Sequence, residues 1–130
     1  MNIVKDWPPN IKAIRKVFTL PKGVIFTYGN VIYNPYGARL GKSLIAHECV
    51  HIGQQEKYGV EKWWKRYLVD AEWRLEQELE AHRIEYITFC TITYSREKRN
   101  KFLFEISSRL AGPMYGRLLT IREAMKEIKR

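Results

Sequence analysis

His47-Glu48-Cys49-Val50-His51 is the stretch from which the rest of this chain is read. It spells H-E-x-x-H and uses two of the three histidines in 130 residues. In a helix of 3.6 residues per turn, side chains four apart project from nearly one side. Two imidazoles so placed can share one Zn²⁺, whose nitrogen ligands sit at about 2.0–2.1 Å. The intervening glutamate falls where a hydrolytic site needs a general base beside the metal. The motif therefore has meaning only on a helix, and its surroundings predict one. Ser43 is expected to cap it, and Leu44, Ile45, Ala46, Val50 and Ile52 follow with no proline or glycine before Gly53. Ile45, Cys49 and Ile52 lie roughly 140–200° from His47 and read as an apolar back. His47, His51 and Gln54 share the other side. A histidine pair buried with ordinary hydrogen bonds is the alternative to a metal site.

A catalytic zinc takes a third protein ligand and keeps one position for water. His82 is the remaining histidine, and the cysteines are Cys49 and Cys90. Cys49 points away from the histidine face and reads as a small core residue. Carboxylates offer more, in the stretch Asp70 to Tyr86, which is rich in helix formers and has Asp70 placed to cap it. A solvated acidic face, with Glu76 and Glu80 paired around Arg83, accounts for most of these glutamates.

His47-Glu48-x-x-His51 followed by Glu78-Leu79-Glu80-Ala81 resembles the gluzincin pattern, H-E-x-x-H with a distant E-x-x-A on a second helix. The resemblance implies Glu78 as the third zinc ligand. Many gluzincins carry an aspartate after the alanine, where this chain has His82. A wider similarity joins Tyr28-Gly-Asn-Val-Ile-Tyr33-Asn-Pro35, the motif helix running into Gln54-Gln55, Trp63-Trp64-x-x-Tyr67, Arg74 to Ala81 and Leu110-Ala-Gly-Pro-Met-Tyr-Gly116. These segments are similar to small uncharacterised phage-encoded metallopeptidase-like proteins.

The helical register supports the same glutamate. Leu75, Leu79, His82, Tyr86 and Phe89 fall within roughly 100° of Glu78, whereas Glu76 and Glu80 fall roughly 160–200° away, with Arg83 and Trp73 toward that far side. A helix turning Leu75, Leu79 and Tyr86 inward carries Glu78 to the interior and leaves Glu80 near solvent. A buried carboxylate needs a cation, which zinc on the histidine pair would supply. Glu85 faces similarly and is the substitute for Glu78.

Length and composition suit one domain over residues 1–130, 45% hydrophobic and containing four tryptophans. No secretory h-region and no apolar run of about 20 residues is present, so neither export nor a membrane partner is expected. Two isolated cysteines fit a reducing cytoplasm, the host's if the chain is phage-encoded, with virion association an option. Ile11 to Phe18 predicts a short helix. Val24 to Tyr28 and Val31 to Tyr33 flank Gly29-Asn30 as a hairpin. Glu61 to Val69, Ala71 to about Tyr94, Lys98 to Leu110 and Thr120 to Lys129 read as further helices. The expected fold is α+β, helix-dominated and zincin-like, with a small N-terminal antiparallel hairpin or sheet packed on the H-E-x-x-H helix. By resemblance, the sheet's edge strand would pair with an extended substrate.

The net charge of +9 is uneven: residues 1–42 hold seven basic and one acidic side chain, 43–95 six and nine, 96–130 ten and four. Basic flanks allow weak, non-specific nucleic-acid binding. Trp63, Trp64 and Tyr67 read as core rather than as a base-stacking platform.

These readings converge on a zinc-dependent metallopeptidase acting on a peptide or protein substrate. His47, His51 and Glu78 are the expected ligands, Glu48 the general base, and His82 a candidate oxyanion donor in competition with Tyr36, Tyr86 and Tyr115. The alternatives are a phage structural or binding protein that keeps zinc without turnover, and a DNA-associated protease of the SprT-like kind, which uses three histidines. The sequence sets neither substrate nor oligomeric state.

Overall fold

The computed structural model describes residues 1–130. Its elements are β1 (Asn2–Val4), α1 (Ile11–Val17), β2 (Phe26–Tyr28), β3 (Val31–Tyr33), α2 (Lys42–Tyr58), α3 (Val60–Val69), α4 (Ala71–Ile92), α5 (Arg96–Leu110) and α6 (Ile121–Lys129), with a 3-10 turn at Pro113–Tyr115. Helices dominate, and no helix is long and apolar enough to cross a membrane.

Gly29 and Asn30 reverse the chain between β2 and β3, which pair antiparallel with Tyr28 opposite Val31 and Phe26 opposite Tyr33. Gly29 has φ +63° while Asn30 has no positive φ, so only the first turn residue needs the freedom of glycine, as in a type II′ hairpin. The sheet is mixed rather than purely antiparallel. Its third strand, β1, runs parallel to β3 in the order β1-β3-β2. Three residues are too few to display an alternating pattern, and their partner lies 29 positions on, so the sequence does not announce this strand.

Helix α2 begins earlier than Ser43. Gly41 is its N-cap, and no side chain caps it. Asp70 does cap α4, accepting the Trp73 amide at 3.0 Å. Thr120 and Glu123 form a capping box at the start of α6.

Helix α2 buries the side opposite to ordinary amphipathic expectation, whereas α4 turns inward the side of Leu75, Glu78 and His82 that its register implied. The buried residues of α2 are His47, Glu48, His51 and Gln55, whereas Ile45 and Ile52 are half-buried and Cys49 is exposed. Cys49 is thus not a core residue, because the apolar back of α2 faces out and its polar stripe faces α4. Helix α4 answers with Arg74, Glu78, His82 and Glu85, all buried together with Trp73, Leu75 and Ala81. Trp73 is not on a solvent side as the register implied. Helix α4 is covered by α2 and α3 on one flank and by α5 and α6 on another, so its buried arc is wide. Arg83 pairs with Glu127 of α6 at 3.1 Å rather than with Glu76 or Glu80.

Two apolar clusters flank this polar seam. Leu75, Leu103, Ile106, Leu110, Tyr115, Ala124 and Ile128 join α4, α5 and α6. Ile14, Phe26, Trp63, Trp64, Tyr67 and Trp73 join α1, β2, α3 and the start of α4. Trp63, Trp64 and Tyr67 are 2%, 8% and 5% exposed, which leaves no open face on which a base could stack.

Candidate metal centre

The four-residue spacing in α2 brings His47 Nε2 and His51 Nε2 to 3.1 Å of one another. Glu78 Oε1, arriving from α4, stands 3.1 Å from each of them. Three donor atoms therefore form a nearly equilateral triangle inside the protein, each residue less than a tenth exposed.

Every outward-facing atom of that triangle is held. His47 Nδ1 donates to Glu85 Oε1 at 2.8 Å, and His51 Nδ1 donates to Gln54 Oε1 at 2.9 Å. With Nδ1 engaged in this way, each imidazole turns its Nε2 toward Glu78 Oε1, the orientation in which Nε2 could ligate a metal. Gln54 is fixed in turn by donating to the Gln77 carbonyl at 3.1 Å. Tyr67 donates its hydroxyl proton to Glu78 Oε2, leaving Oε1 for the histidines.

His82 is the third imidazole of the cluster. Its ring centre lies 4.4 Å from that of His47, and its Nδ1 shares Glu85 Oε1 at 2.8 Å. His47, Glu78 and His82 offer ligand atoms within 4.8 Å of one another, as do His47, Glu48 and His51. Buried His47, His51, His82 and Glu78 thus form a group able to hold a metal ion.

Glu48 is 5% exposed and takes a hydrogen bond from the Thr27 hydroxyl to Oε2 at 3.1 Å. The same strand is bound to α2 by Gln55, which donates to the Thr27 carbonyl at 2.9 Å and accepts from the Gly29 amide at 2.7 Å. Trp64 Nε1 also donates to the Thr27 carbonyl, at 3.0 Å. The hairpin is in this way fastened against the glutamate of the motif.

Without a metal, the charges lean on one another. Burial raises the Glu48 carboxyl above its ordinary range, with Glu78 adding to the rise against the pull of His47, His51 and Thr27. Burial acts in the same direction on Glu78, but His51 and His47 outweigh it and hold this carboxyl well below its usual value. Burial disfavours the charged form of His47, yet its bonds to Glu78 and Glu85 raise it well above normal. His82 goes the other way, because burial outweighs its bond to Glu85. Glu85 itself is lowered to about 2: burial opposes the shift, and the bonds from His47 and His82 overcome it.

The cluster opens onto a cavity of about 390 Å³ whose wall includes Phe18, Thr27, Tyr67, Arg109, Met114 and Tyr115. Of the residues competing as oxyanion donor, His82 and Tyr115 line this cavity. Tyr36 is exposed and packs edge-on against Trp7, and Tyr86 packs into the α4–α5–α6 cluster. Glu80 is exposed, and Cys90 is a half-buried free thiol outside the group.

Sequence reasoning missed the supporting residues. Gln54 was visible as the third residue after His51, on the histidine side. Glu85 was weighed only as a substitute ligand, although it lies seven residues, about two turns, after Glu78. Tyr67 and Thr27 carried no such signal, since both are brought to the site by other elements. Comparison with protein-family models, with curated proteins and with solved structures returned no match for this chain.

Proposed function

We propose that the chain is a zinc-dependent peptidase of zincin-like architecture, with His47, His51 and Glu78 as ligands and Glu48 as general base. The observation that carries this reading is the 3.1 Å triangle of His47 Nε2, His51 Nε2 and Glu78 Oε1. Donors about 2.0–2.1 Å from a tetrahedral Zn²⁺ stand roughly 3.3–3.4 Å apart, so a slight opening of this triangle admits the ion. Two imidazoles and one carboxylate suit zinc better than the all-oxygen shells preferred by calcium and magnesium.

Zinc bound there would supply Lewis acidity, lowering the pKa of a water and polarising a substrate carbonyl. The protein's own part falls to Glu48. Burial brings its carboxyl closer to neutral pH, which suits a group that must take a proton and then give it to the leaving amine. Thr27 fixes the orientation of that carboxylate. With Nδ1–H given to Glu85, a neutral His82 keeps a lone pair on Nε2 and has no proton there for an oxyanion. Tyr115 is therefore the better donor of the two that line the cavity, and His82 serves to position Glu85. An extended peptide would lie along Gly23, Val24 and Ile25, the segment that leads into β2 and forms part of the cavity wall.

A three-histidine, SprT-like arrangement is the second reading, supported by the nearness of His82 to His47 and Glu78. The contact of Glu78 Oε1 with both motif histidines favours the His-His-Glu set.

The test is elemental analysis with a peptide-library digest followed by mass spectrometry. About one zinc per chain and cleavage of some peptides are expected, as a three-ligand site requires. Glu48→Gln should keep the metal and cut at least about a hundredfold more slowly. Absence of metal after incubation with zinc, or a Glu48→Gln variant as fast as the parent, would overturn the proposal.

A further inference from the structure

Glu85 and His82 lie one turn apart on the buried stripe of α4, 6% and 7% exposed, and the metal centre engages only one polar atom of each. Glu85 Oε1 accepts from Nδ1 of both His47 and His82, at 2.8 Å in each case. A carboxylate has no proton to give, so both Nδ1 atoms carry theirs, and the neutral His82 ring keeps a lone pair on Nε2. Glu85 Oε2 and His82 Nε2 make no hydrogen bond within the protein. Neither is sealed in, since the enclosed polar atoms without partners belong to Asn10, Asn34, Trp63, Arg74 and Ser107. Both residues line the cavity of about 390 Å³. They present two acceptors to it and no donor.

The other carboxylates of the cavity are committed. Both oxygens of Glu78 are taken, by Tyr67 and by the motif histidines, and Glu48 is held by Thr27 for its work as a base. Glu85 Oε2 is the oxygen left over. A largely buried carboxylate oxygen without a donor is unfavourable, and a charge-assisted bond relieves it. A primary ammonium brings a positive charge and three donors, enough for both Glu85 and His82. An internal or acetylated peptide nitrogen brings one donor and no charge, so it serves only one of the two. A substrate carboxylate would meet acceptors alone.

We propose that Glu85 and His82 form a subsite for the free α-ammonium of a peptide, so that the protein removes residues from an N-terminus. This rests on the peptidase reading for the bond broken. Glu85 is one imidazole ring away from the metal position, through its 2.8 Å bond to His47. His82 offers a ligand atom within 4.8 Å of those of His47 and Glu78. In a peptide the α-nitrogen is two bonds, about 2.5 Å, from the carbonyl carbon of its own residue. A nitrogen held by Glu85 and His82 therefore belongs to the residue whose carbonyl meets the metal, and the first peptide bond is the one attacked. A lysine ammonium, on its four-carbon stem, stands too far from its own carbonyl for that register. Hydrolysis there adds one water. Its oxygen goes to the carbonyl carbon, the C–N bond breaks, and a proton goes to the leaving nitrogen, which becomes the next N-terminus.

The test is calorimetric titration of the Glu48→Gln protein, zinc-loaded and metal-free, at pH 7, where an α-amine is largely charged. That substitution also removes a competing carboxylate from the cavity. The probes are a tripeptide amide with a free N-terminus, the same peptide N-acetylated, and an N-acetylated tripeptide amide with one lysine. The free peptide should bind at least about tenfold tighter than the acetylated one in both metal states. Adding Glu85→Gln keeps an acceptor for the two imidazoles and turns the free oxygen into a donor, so it should abolish the preference. His82→Phe keeps a ring without the lone pair and should reduce it. With the parent, mass spectrometry should show free peptides shortened one residue at a time from the N-terminus and acetylated ones left whole.

Equal binding of free and acetylated peptides overturns the subsite, as does a preference that survives Glu85→Gln. A lysyl probe that binds as well as the free peptide overturns the N-terminal assignment. A preference found only with zinc places the amine on the metal and also overturns the subsite. So does a second zinc per chain that is lost in both Glu85→Gln and His82→Phe, since the pair would then be metal ligands. Should the parent cut acetylated peptides as fast as free ones, the subsite fails and the peptidase reading stands. Amine preference in a protein that neither holds zinc nor cleaves leaves the subsite standing and removes the peptidase.

Discussion

The Tyr67 hydroxyl donates to Glu78 Oε2, so that only Oε1 of this carboxylate faces the two motif histidines. One side chain from α3 thereby fixes the rotation of a carboxylate carried on α4. Outer partners of this kind are worth about ten- to a hundredfold in metal affinity. Tyr67→Phe keeps the ring that stacks on Trp63 at 4.7 Å and removes only the donor. We expect zinc affinity to fall by about tenfold or more with the fold intact. Unchanged affinity in a competition titration with a chelating dye would mean that the hydroxyl does not orient the ligand.

Glu78 and Glu80 lie two residues apart on α4 with opposite fates, one buried among histidines and the other exposed. Glu78→Ala should lower zinc affinity by at least about a hundredfold, whereas Glu80→Ala should leave it within about twofold of the parent. The same dye titration decides. The reverse ranking would remove Glu78 from the ligand set.

How much of this was legible depends on whether the cause was local. The two histidines and Glu48 could be placed from spacing alone, because helix periodicity sets their directions within five residues. The Gly29-Asn30 turn was equally legible, as the hairpin needs positive φ at one residue and glycine stands there. The orientation of α2 was not. Ile45, Cys49 and Ile52 suggested an inward apolar back, but the stripe that carries His47, Glu48, His51 and Gln55 is the one α4 covers. A rule based on apolar periodicity fails where a buried seam is polar on both sides and its histidines and carboxylates satisfy one another. Strand β1 and the Tyr67 and Thr27 contacts depend on pairings across the chain, which no local pattern encodes.

The basic flanks bear on partners. Arg83 and Arg130 pair with Glu127, while most of the remaining arginines and lysines make no ion pair. Nucleic-acid binding should therefore be weak and independent of sequence, and it should fall steeply between 50 and 200 mM salt, by about tenfold or more. Anisotropy titrations of labelled single and double strands at both salt concentrations check this. Tight binding that persists at the higher salt would promote the DNA-associated reading.

Gln55 tests whether the hairpin is fastened to the metal helix as the geometry indicates. Its side chain is fully buried, with Nε2 on the Thr27 carbonyl and Oε1 on the Gly29 amide. Gln55→Leu is close to it in volume and removes both bonds. The Thr27 carbonyl keeps Trp64 Nε1 as a donor, but the Gly29 amide loses its acceptor. That amide is only part-buried and can turn to water, so the loss is the net worth of the hydrogen bonding, about 0.5–1.5 kcal/mol, and stability should fall by about that amount. Thr27 also orients Glu48, so any peptide cleavage should slow as well, while zinc affinity stays near the parent's because no ligand is touched. Urea denaturation and the dye titration, run on the same sample, separate the two effects. A loss below about 0.5 kcal/mol, within the range of an ordinary surface substitution, would mean that the hairpin is held by its apolar packing and not by Gln55.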